Sequence, residues 1–286
     1  MDVRNKLRLK KDAVEQYLNR LLPDEENPLV KAMRYAVLSG GKRFRPLLAI
    51  SSGECFGLAQ DLILPFGCAL ELIHNYSLVH DDLPMMDDDD FRRGKPSCHK
   101  VFGEDIALLV GDSLLTLAFE VLASAPWDAS AFERKERLVK EIAQSAGARG
   151  MIGGQLLDIT LKLDSLSEED LQSLMVKKTG QLICVSVKVG PLLAGASADE
   201  IRAMTEYGNN IGLAFQIRDD ILDSGQFSAQ DPFQHPNAAT FYGEEEAKKM
   251  LKQHVRSAQE AIDSAGLESE ELRFLASRLL ELEKNE

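Results

Sequence analysis

Only one of the 286 residues is tryptophan, five are histidine and four are cysteine. Cys55, Cys68, Cys98 and Cys184 form no C-x-x-C pair and no metal-ligand spacing, which excludes a zinc ribbon or a disulfide framework and predicts free buried thiols in a reducing compartment. Aromatic residues make up 6% and long β-branched runs are scarce, so helix is favoured over sheet. No uncharged stretch approaches the length of a membrane span. Met1 to Leu22 is a charged amphipathic pattern rather than a leader with an apolar centre. These absences predict a soluble, cytoplasmic chain with no stable membrane insertion. Positive charge is also short, with 33 Lys and Arg against 46 Asp and Glu and a net charge of -13. That excludes nucleic acid as a partner, because a phosphate backbone needs a basic face. It does not exclude small phosphorylated substrates, since Mg²⁺ can supply local positive charge. Neither a fixed-period repeat nor a low-complexity linker is found.

What the chain does have is acid in one place. Leu70 to Ser97 reads L-E-L-I-H-N-Y-S-L-V-H-D-D-L-P-M-M-D-D-D-D-F-R-R-G-K-P-S. An apolar helical run ends in Asp81-Asp82, Asp87 to Asp90 follow after four uncharged residues, and Arg92-Arg93 come at once. Carboxylates this close repel one another strongly, so something cationic should offset them. An oxygen-only ligand set suits a hard ion, Mg²⁺ rather than Zn²⁺, and Mg²⁺ held by few carboxylates completes its shell with water and substrate phosphate. The two arginines are natural partners for the remaining phosphate oxygens. A second, sparser set lies in F-Q-I-R-D-D-I-L-D, Phe215 to Asp223. On a helix Asp219 and Asp223 are one turn apart on one face, with Asp220 flanking them. Two acidic helices aimed at one diphosphate would make a multi-metal clamp.

The pair of motifs resembles a known family. D-D-L-P-M-M-D followed by R-R-G is similar to the first Asp-rich motif of the trans-type isoprenyl diphosphate synthases, and F-Q-x-x-D-D-I-L-D to their second. The resemblance covers roughly Ala32 to Asp223 well. It implies a single all-α domain over residues 1–286, an isoprenoid synthase-type bundle of about ten or more helices around a central cavity, usually a homodimer. It also implies Mg²⁺ as cofactor, with isopentenyl diphosphate and an allylic diphosphate as substrates.

The same resemblance distributes the site residues. Asp81, Asp82, Asp87, Asp219, Asp220 and Asp223 would be the metal ligands. G-G-K-R-F-R-P looks like the isopentenyl diphosphate site, where Lys42 and Arg45 would hold that diphosphate together with His74 and Arg93. Lys42, Arg43 and Arg45 crowd a helix start, which is unfavourable for the helix dipole unless an anion binds there. Arg92 and Lys178 would contact the allylic diphosphate. Thr179 and Gln216, beside Phe215, would point oxygens at the developing carbocation. Tyr76 lies five residues before Asp81, somewhat more than one turn back, where a bulky ring would block chain growth. Similar enzymes with an aromatic near that position tend to make the fifteen-carbon product, which favours farnesyl over geranylgeranyl diphosphate.

Periodicity and capping signals predict a helix to Leu22 closed by Pro23-Asp24, another from Pro28 to Gly40-Gly41, and a long apolar helix over Gly103 to Leu122 in which Asp105 and Asp112 are structural or capping. One helical pattern is expected from Phe132 to Ile159; from the residues alone Gln155 and Asp158 read as a buried hydrogen-bonding pair, while they also resemble the family's G-G-Q-x-x-D segment, which lies beside the active site. Ser167 should cap a helix. The alternation in L-I-C-V-S-V-K-V could pass for a strand, but the resemblance makes Gln181 to Ala194 helical. Asp199 to Asp223 should be one helix, and Gly243 to Glu286 two charged amphipathic helices. After Asp223 the resemblance frays, because Ser224 to Gly243 is shorter than in the family and carries no lysine. That departure motivates a rival, a catalytically weak homologue serving as a binding or regulatory subunit. A terpene cyclase would lack the Lys42, Arg45 and His74 site, and a metal phosphohydrolase built on His80-Asp81-Asp82 would need histidines in other ligand positions.

Overall fold

The computed structural model describes residues 2–127, 131–162, 165–224 and 236–282. Fourteen α-helices account for nearly all regular structure among them, beside a π-helical turn and a hairpin of two-residue strands, β1 (Phe91–Arg92) and β2 (Lys95–Pro96). The all-α expectation holds. The chain divides into two compact units, Met1–Ile50 with Leu58–Ala129, and Ser51–Gly57 with Ser130–Glu286.

The first unit contains α1 (Val3–Leu21), α2 (Pro28–Leu38), most of α3 (Phe44–Cys55), α4 (Gln60–Asp81), the hairpin, α5 (Cys98–Phe102) and α6 (Glu104–Ser124). Pro28 opens α2 at a position whose N–H needs no helical partner, and the Asn27 side chain accepts from Leu29 N at 2.9 Å. The core is α4, buried without a break from Ile63 to Ile73. Its main neighbour is α6, and the approach is close at Gly111, where an added Cβ would sit 1.9 Å from His80 Nε2. His80 is fixed there, with Nε2 3.0 Å from the Leu108 carbonyl oxygen.

No uncharged stretch reaches the length of a membrane span, but two helices that carry a few charged residues do. Both α4 and α6 are long and apolar enough to cross a membrane by length and composition. Each has an occasional charged residue inside an otherwise apolar run, which a search for strictly uncharged stretches passes over. In α4 78% of the apolar window is buried inside the protein, as a core helix requires. In α6 only 39% is, and Leu108 and Leu109 stand exposed.

The second unit runs from α7 (Phe132–Ala146) through α8 (Met151–Thr160), α9 (Glu168–Met175), a π-helical turn (Val176–Gly180), α10 (Gln181–Ala194), α11 (Ala198–Ser224), α12 (Ala238–Tyr242), α13 (Glu244–Ser264) and α14 (Glu270–Arg278). Ser167 caps α9 through a reciprocal box with Asp170. The L-I-C-V-S-V-K-V segment is helical, and α13 and α14 are the two expected terminal helices. The single helix expected over Phe132 to Ile159 is not formed. It breaks after Ala146, and Gly150 makes a turn in which a Cβ would fall 2.0 Å from the Ser145 carbonyl oxygen. The apolar period continues across the break, which hid it. All four cysteines are free, three of them buried. Of the Ser224 to Gly243 stretch, residues 225–235 lie outside the described residues.

Candidate functional site

In the first unit the acidic motif is formed where the buried helix α4 runs out. Asp81 is its last residue and Asp82 its cap, and the following loop folds back so that Asp87 N donates to the Asp81 carbonyl oxygen at 2.9 Å. Asp81 and Asp87 are thereby brought to one turn, and both stay half-buried. Asp82 faces inward at 2% exposure and accepts from Arg92 Nε at 2.8 Å, while Arg92 Nη2 also reaches Asp89 at 2.7 Å. Burial pushes the Asp82 carboxyl up, opposed by Arg92. For Arg92 burial works against the charge, but Asp82 first and Asp89 next outweigh it and raise its pKa. Of the three predicted carboxylates here, two are presented outward and one anchors the hairpin that carries Arg92-Arg93.

The basic segment divides in the same way. Lys42 is exposed, and Arg45 is buried at the start of α3. Arg43 was grouped with them as a crowd of charge, yet it points inward at 1% exposure, from a backbone φ of +51°. Its guanidinium donates from Nε to Glu15 at 2.8 Å, from Nη1 to Glu71 at 2.9 Å and from Nη2 to the Val37 carbonyl at 2.7 Å. Asn75 Nδ2 donates to the Glu71 carbonyl at 2.7 Å, and its Oδ1 lies 3.5 Å from Arg93 Nη1. Arg93 also donates to the Gly40 carbonyl. A polar chain of Glu15, Arg43, Glu71 and Asn75 therefore fixes the G-G-K-R loop and orients Arg93. None of these four was singled out as a functional residue from sequence, although a Glu within the apolar run of α4 was a visible signal.

His74 sits among these groups. Burial first, then Arg45, Arg93, Arg92 and Arg43, hold its imidazole well below the usual histidine range, so it is neutral near pH 7. The charges of arginines from two separate segments thus bear on one uncharged ring, the setting expected of an anion site. Tyr76, one turn before His80, is 5% exposed and packs edge-on against that ring with centroids 5.9 Å apart. Burial, then the charge of Asp81, raises its phenol to about 12. Its hydroxyl has no hydrogen-bond partner among the described residues.

In the second unit Lys178 Nζ pairs with Asp158 across from α8 to the π turn. The expected Gln155–Asp158 pair is therefore replaced: the lysine takes the carboxylate, and Gln155 Nε2 is buried without a partner among the described residues. Thr179 Oγ1 donates to Gln216 Oε1, Gln216 Nε2 donates to Asp220 Oδ1 at 2.7 Å, and Ala238 N donates to Asp220 Oδ2 at 2.6 Å. Asp220 is thus buried and engaged at both oxygens, with burial pushing it up to about 7. Asp219 has a side chain 40% exposed, and Asp223 is exposed one turn on. Half-buried Phe215 precedes them on the same face. As in the first motif, one carboxylate is buried and the other two are more exposed, Asp219 lying 3.4 Å from Arg218 Nη1.

Oxygen donors grouped beside arginines fit divalent cations and phosphate esters. The sequence model described as polyprenyl synthetase matches residues 26–231. The chain belongs to that family. It is 39% identical over 258 residues to a farnesyl diphosphate synthase of Bacillus subtilis, covering 86% of both chains. It is also 39% identical over 264 residues to a geranylgeranyl diphosphate synthase of Cyanophora paradoxa, covering 88% of this chain and 87% of that one. Among solved structures, an FPP/GFPP synthase from Zymomonas mobilis superposes with a TM-score of 0.89 at 32% identity, covering 97% of this chain and 98% of that one. As a polyprenyl synthetase the protein is a prenyltransferase whose substrates are isoprenoid diphosphates.

Proposed function

We propose that this polyprenyl synthetase joins isopentenyl diphosphate head to tail with dimethylallyl or geranyl diphosphate and releases farnesyl diphosphate. The observation that carries this reading is the loop that brings Asp81 and Asp87 to one turn beside Arg92, which is held on Asp82 at 2.8 Å, with Arg93 next in the chain. A purely structural role would not call for cations and acids sorted in that way.

Asp81, Asp82 and Asp87 of the first unit, and Asp219, Asp220 and Asp223 of the second, are the residues that would hold Mg²⁺. Among them Asp81, Asp87, Asp219 and Asp223 are the more open. Mg²⁺, when bound, neutralises diphosphate charge and so helps the allylic carbon–oxygen bond to ionise. Lys42, Arg45, His74 and Arg93 hold the diphosphate of isopentenyl diphosphate. Arg92 and Lys178 steady the allylic diphosphate as charge builds on it, and Lys178 exchanges its Asp158 partner for phosphate oxygen. Thr179 and Gln216 face the carbocation beside Phe215, and apolar helices keep water from quenching it. The double bond of isopentenyl diphosphate adds to the cation, and a proton leaves to the released diphosphate. Tyr76 limits chain length. The protein works as one functional domain, as a cytoplasmic homodimer, and the exposed apolar residues of α6 support such a pairing.

The absence of lysine between Ser224 and Gly243 favours a second reading, an impaired homologue that acts as a regulatory subunit. One assay separates the readings. Purified protein receives isopentenyl diphosphate, Mg²⁺ and either starter, and products are sized by chromatography beside an Asp81→Ala, Asp219→Ala control. A fifteen-carbon product that disappears with chelator and in the control supports the first. A twenty-carbon product keeps the reaction and removes Tyr76 as its limit. No product from folded protein transfers the case to the regulatory subunit.

A further inference from the structure

From sequence the first acidic motif reads as an oxygen-only ligand set with no cluster of His or Cys. The fold changes that. The β1–β2 hairpin reverses the chain after Asp90, Ser97 N donates back to the Asp90 carbonyl at 2.9 Å, and α5 then starts beside the loop it has just left. His99, the second residue of α5, is delivered against Asp88 and Asp90, and the three ligand atoms lie within 4.8 Å of one another. None of the three belongs to the Asp81, Asp82 and Asp87 set.

His99 is 6% exposed, and neither ring nitrogen has a hydrogen-bond partner among the described residues. Buried imidazole nitrogens are normally satisfied, and this ring is aimed at two exposed carboxylates that can turn toward it. We propose that Asp88, Asp90 and His99 form a second cation site, selective for a first-row transition metal such as Zn²⁺ over Mg²⁺. Imidazole is a poor ligand for Mg²⁺ but a good one for zinc. Metal–ligand bonds of about 2.0–2.2 Å put tetrahedral ligand atoms roughly 3.4 Å apart, so the carboxylates must close by about an ångström or more while the buried imidazole stays fixed. Both aspartates are exposed side chains with room for that rotation. The present occupant of Asp90 is Lys100, whose Nζ lies 2.6 Å away, with the two side chains 62% and 42% exposed. A solvated pair of this kind is held weakly and yields readily to a metal. Water would complete the coordination.

The test is Zn²⁺ binding to the full-length protein by equilibrium dialysis with metal analysis, run in excess Mg²⁺ so that the other acidic positions are occupied. One zinc per chain is expected at micromolar concentration. Asp90→Asn and Asp88→Asn, surface changes in which asparagine tolerates the positive φ of +51° at position 88, should each weaken binding at least tenfold with unchanged melting. His99→Asn should abolish it, and Lys100→Met should tighten it by removing the competitor. X-ray absorption at the zinc edge should show one nitrogen of imidazole among oxygens. Absence of zinc binding overturns the proposal. So does zinc that persists through all three ligand variants, or zinc lost in Asp81→Asn and Asp219→Asn but retained in Asp88→Asn and Asp90→Asn. These readouts do not depend on turnover, so they stand or fall apart from the prenyl-transfer reading.

Discussion

Replacing Gly111 by alanine should test whether the close approach of α4 to α6 depends on His80. The new methyl would lie 1.9 Å from His80 Nε2, 2.3 Å from Cδ2 and 2.6 Å from Cε1, so the imidazole must leave its place. Leaving breaks its contact with the Leu108 carbonyl and its edge-on packing with Tyr76. Overpacking in a filled core costs about 1–3 kcal/mol and the lost hydrogen bond about 1 kcal/mol. The higher helix propensity of alanine returns about 1 kcal/mol. The net loss is about 2 kcal/mol, or roughly 3 °C in melting temperature for a chain of this size. His80→Ala alone should cost about 1–2 kcal/mol, because the Leu108 oxygen keeps its place inside a helix and is not orphaned. The informative variant is the double one. With the ring gone the methyl at 111 has room, so His80→Ala, Gly111→Ala should be no less stable than His80→Ala, a coupling of about 2 kcal/mol. Thermal and urea unfolding followed by circular dichroism would measure all four proteins. Losses that simply add, within about 0.5 kcal/mol, would refute the argument, since the methyl would then be meeting something other than His80.

Three further outcomes are expected. Arg43→Met leaves Glu71 buried without its guanidinium and should cost about 3–5 kcal/mol in unfolding experiments, and Arg43→Lys should recover only part of that because lysine cannot reach Glu15, Glu71 and Val37 together. His254, whose Nδ1 lies 2.9 Å from Asn210 Oδ1, has its pKa lowered by burial, so the unfolded chain takes up the proton first. Its contribution is complete above about pH 6.5 and is lost as pH falls through that value toward the folded pKa, so between pH 7.5 and 5.5 the wild type should lose more melting temperature than His254→Gln. Tyr76→Ala should lengthen the product of the prenyl-transfer assay, and an unchanged product would assign the chain-length limit elsewhere.

The parts of this molecule that sequence made legible are those in which chemistry is crowded into a few residues. Asp81 to Asp90 with Arg92-Arg93 marked a candidate site without any structure, because so many like charges have no inexpensive structural explanation. Ser167 announced itself as a helix cap, which is a local device, and the structure adds its reciprocal bond with Asp170. What stayed hidden was set by distant partners. Arg43 looked like its basic neighbours until Glu15 and Glu71, each 28 residues away, were brought to it. Asp158 appeared to belong to Gln155 on its own helix, whereas Lys178 from another element takes it. Asp220 could be read as flanking the Asp219 and Asp223 face, but its burial could not be, because Gln216 and the return of the chain at Ala238 engage its two oxygens. The break at Gly147–Gly150 escaped because the apolar period continues through it. Periodicity reports which face is buried, but not whether the axis stays straight.

The π turn at Val176–Gly180 has a consequence for how this part of the chain can vary. One extra residue in a helical turn works as a phase shift, and removing it would rotate everything beyond it by about 100° relative to α9. The wide turn has neighbours shaped to receive it. A Cβ at Gly154 would meet Lys178 N at 2.2 Å, and one at Gly212 would meet Gly180 Cα at 2.6 Å, so α8 and α11 each present bare backbone to the bulge. Because the turn is wide, two residues adjacent in sequence address different helices, Lys178 reaching Asp158 on α8 and Thr179 reaching Gln216 on α11. Bulge, glycines and paired side chains form one mutational unit. A deletion within Val176–Gly180 should be tolerated far less than a deletion in an exposed loop, and a side chain added at Gly154 or Gly212 should mimic it.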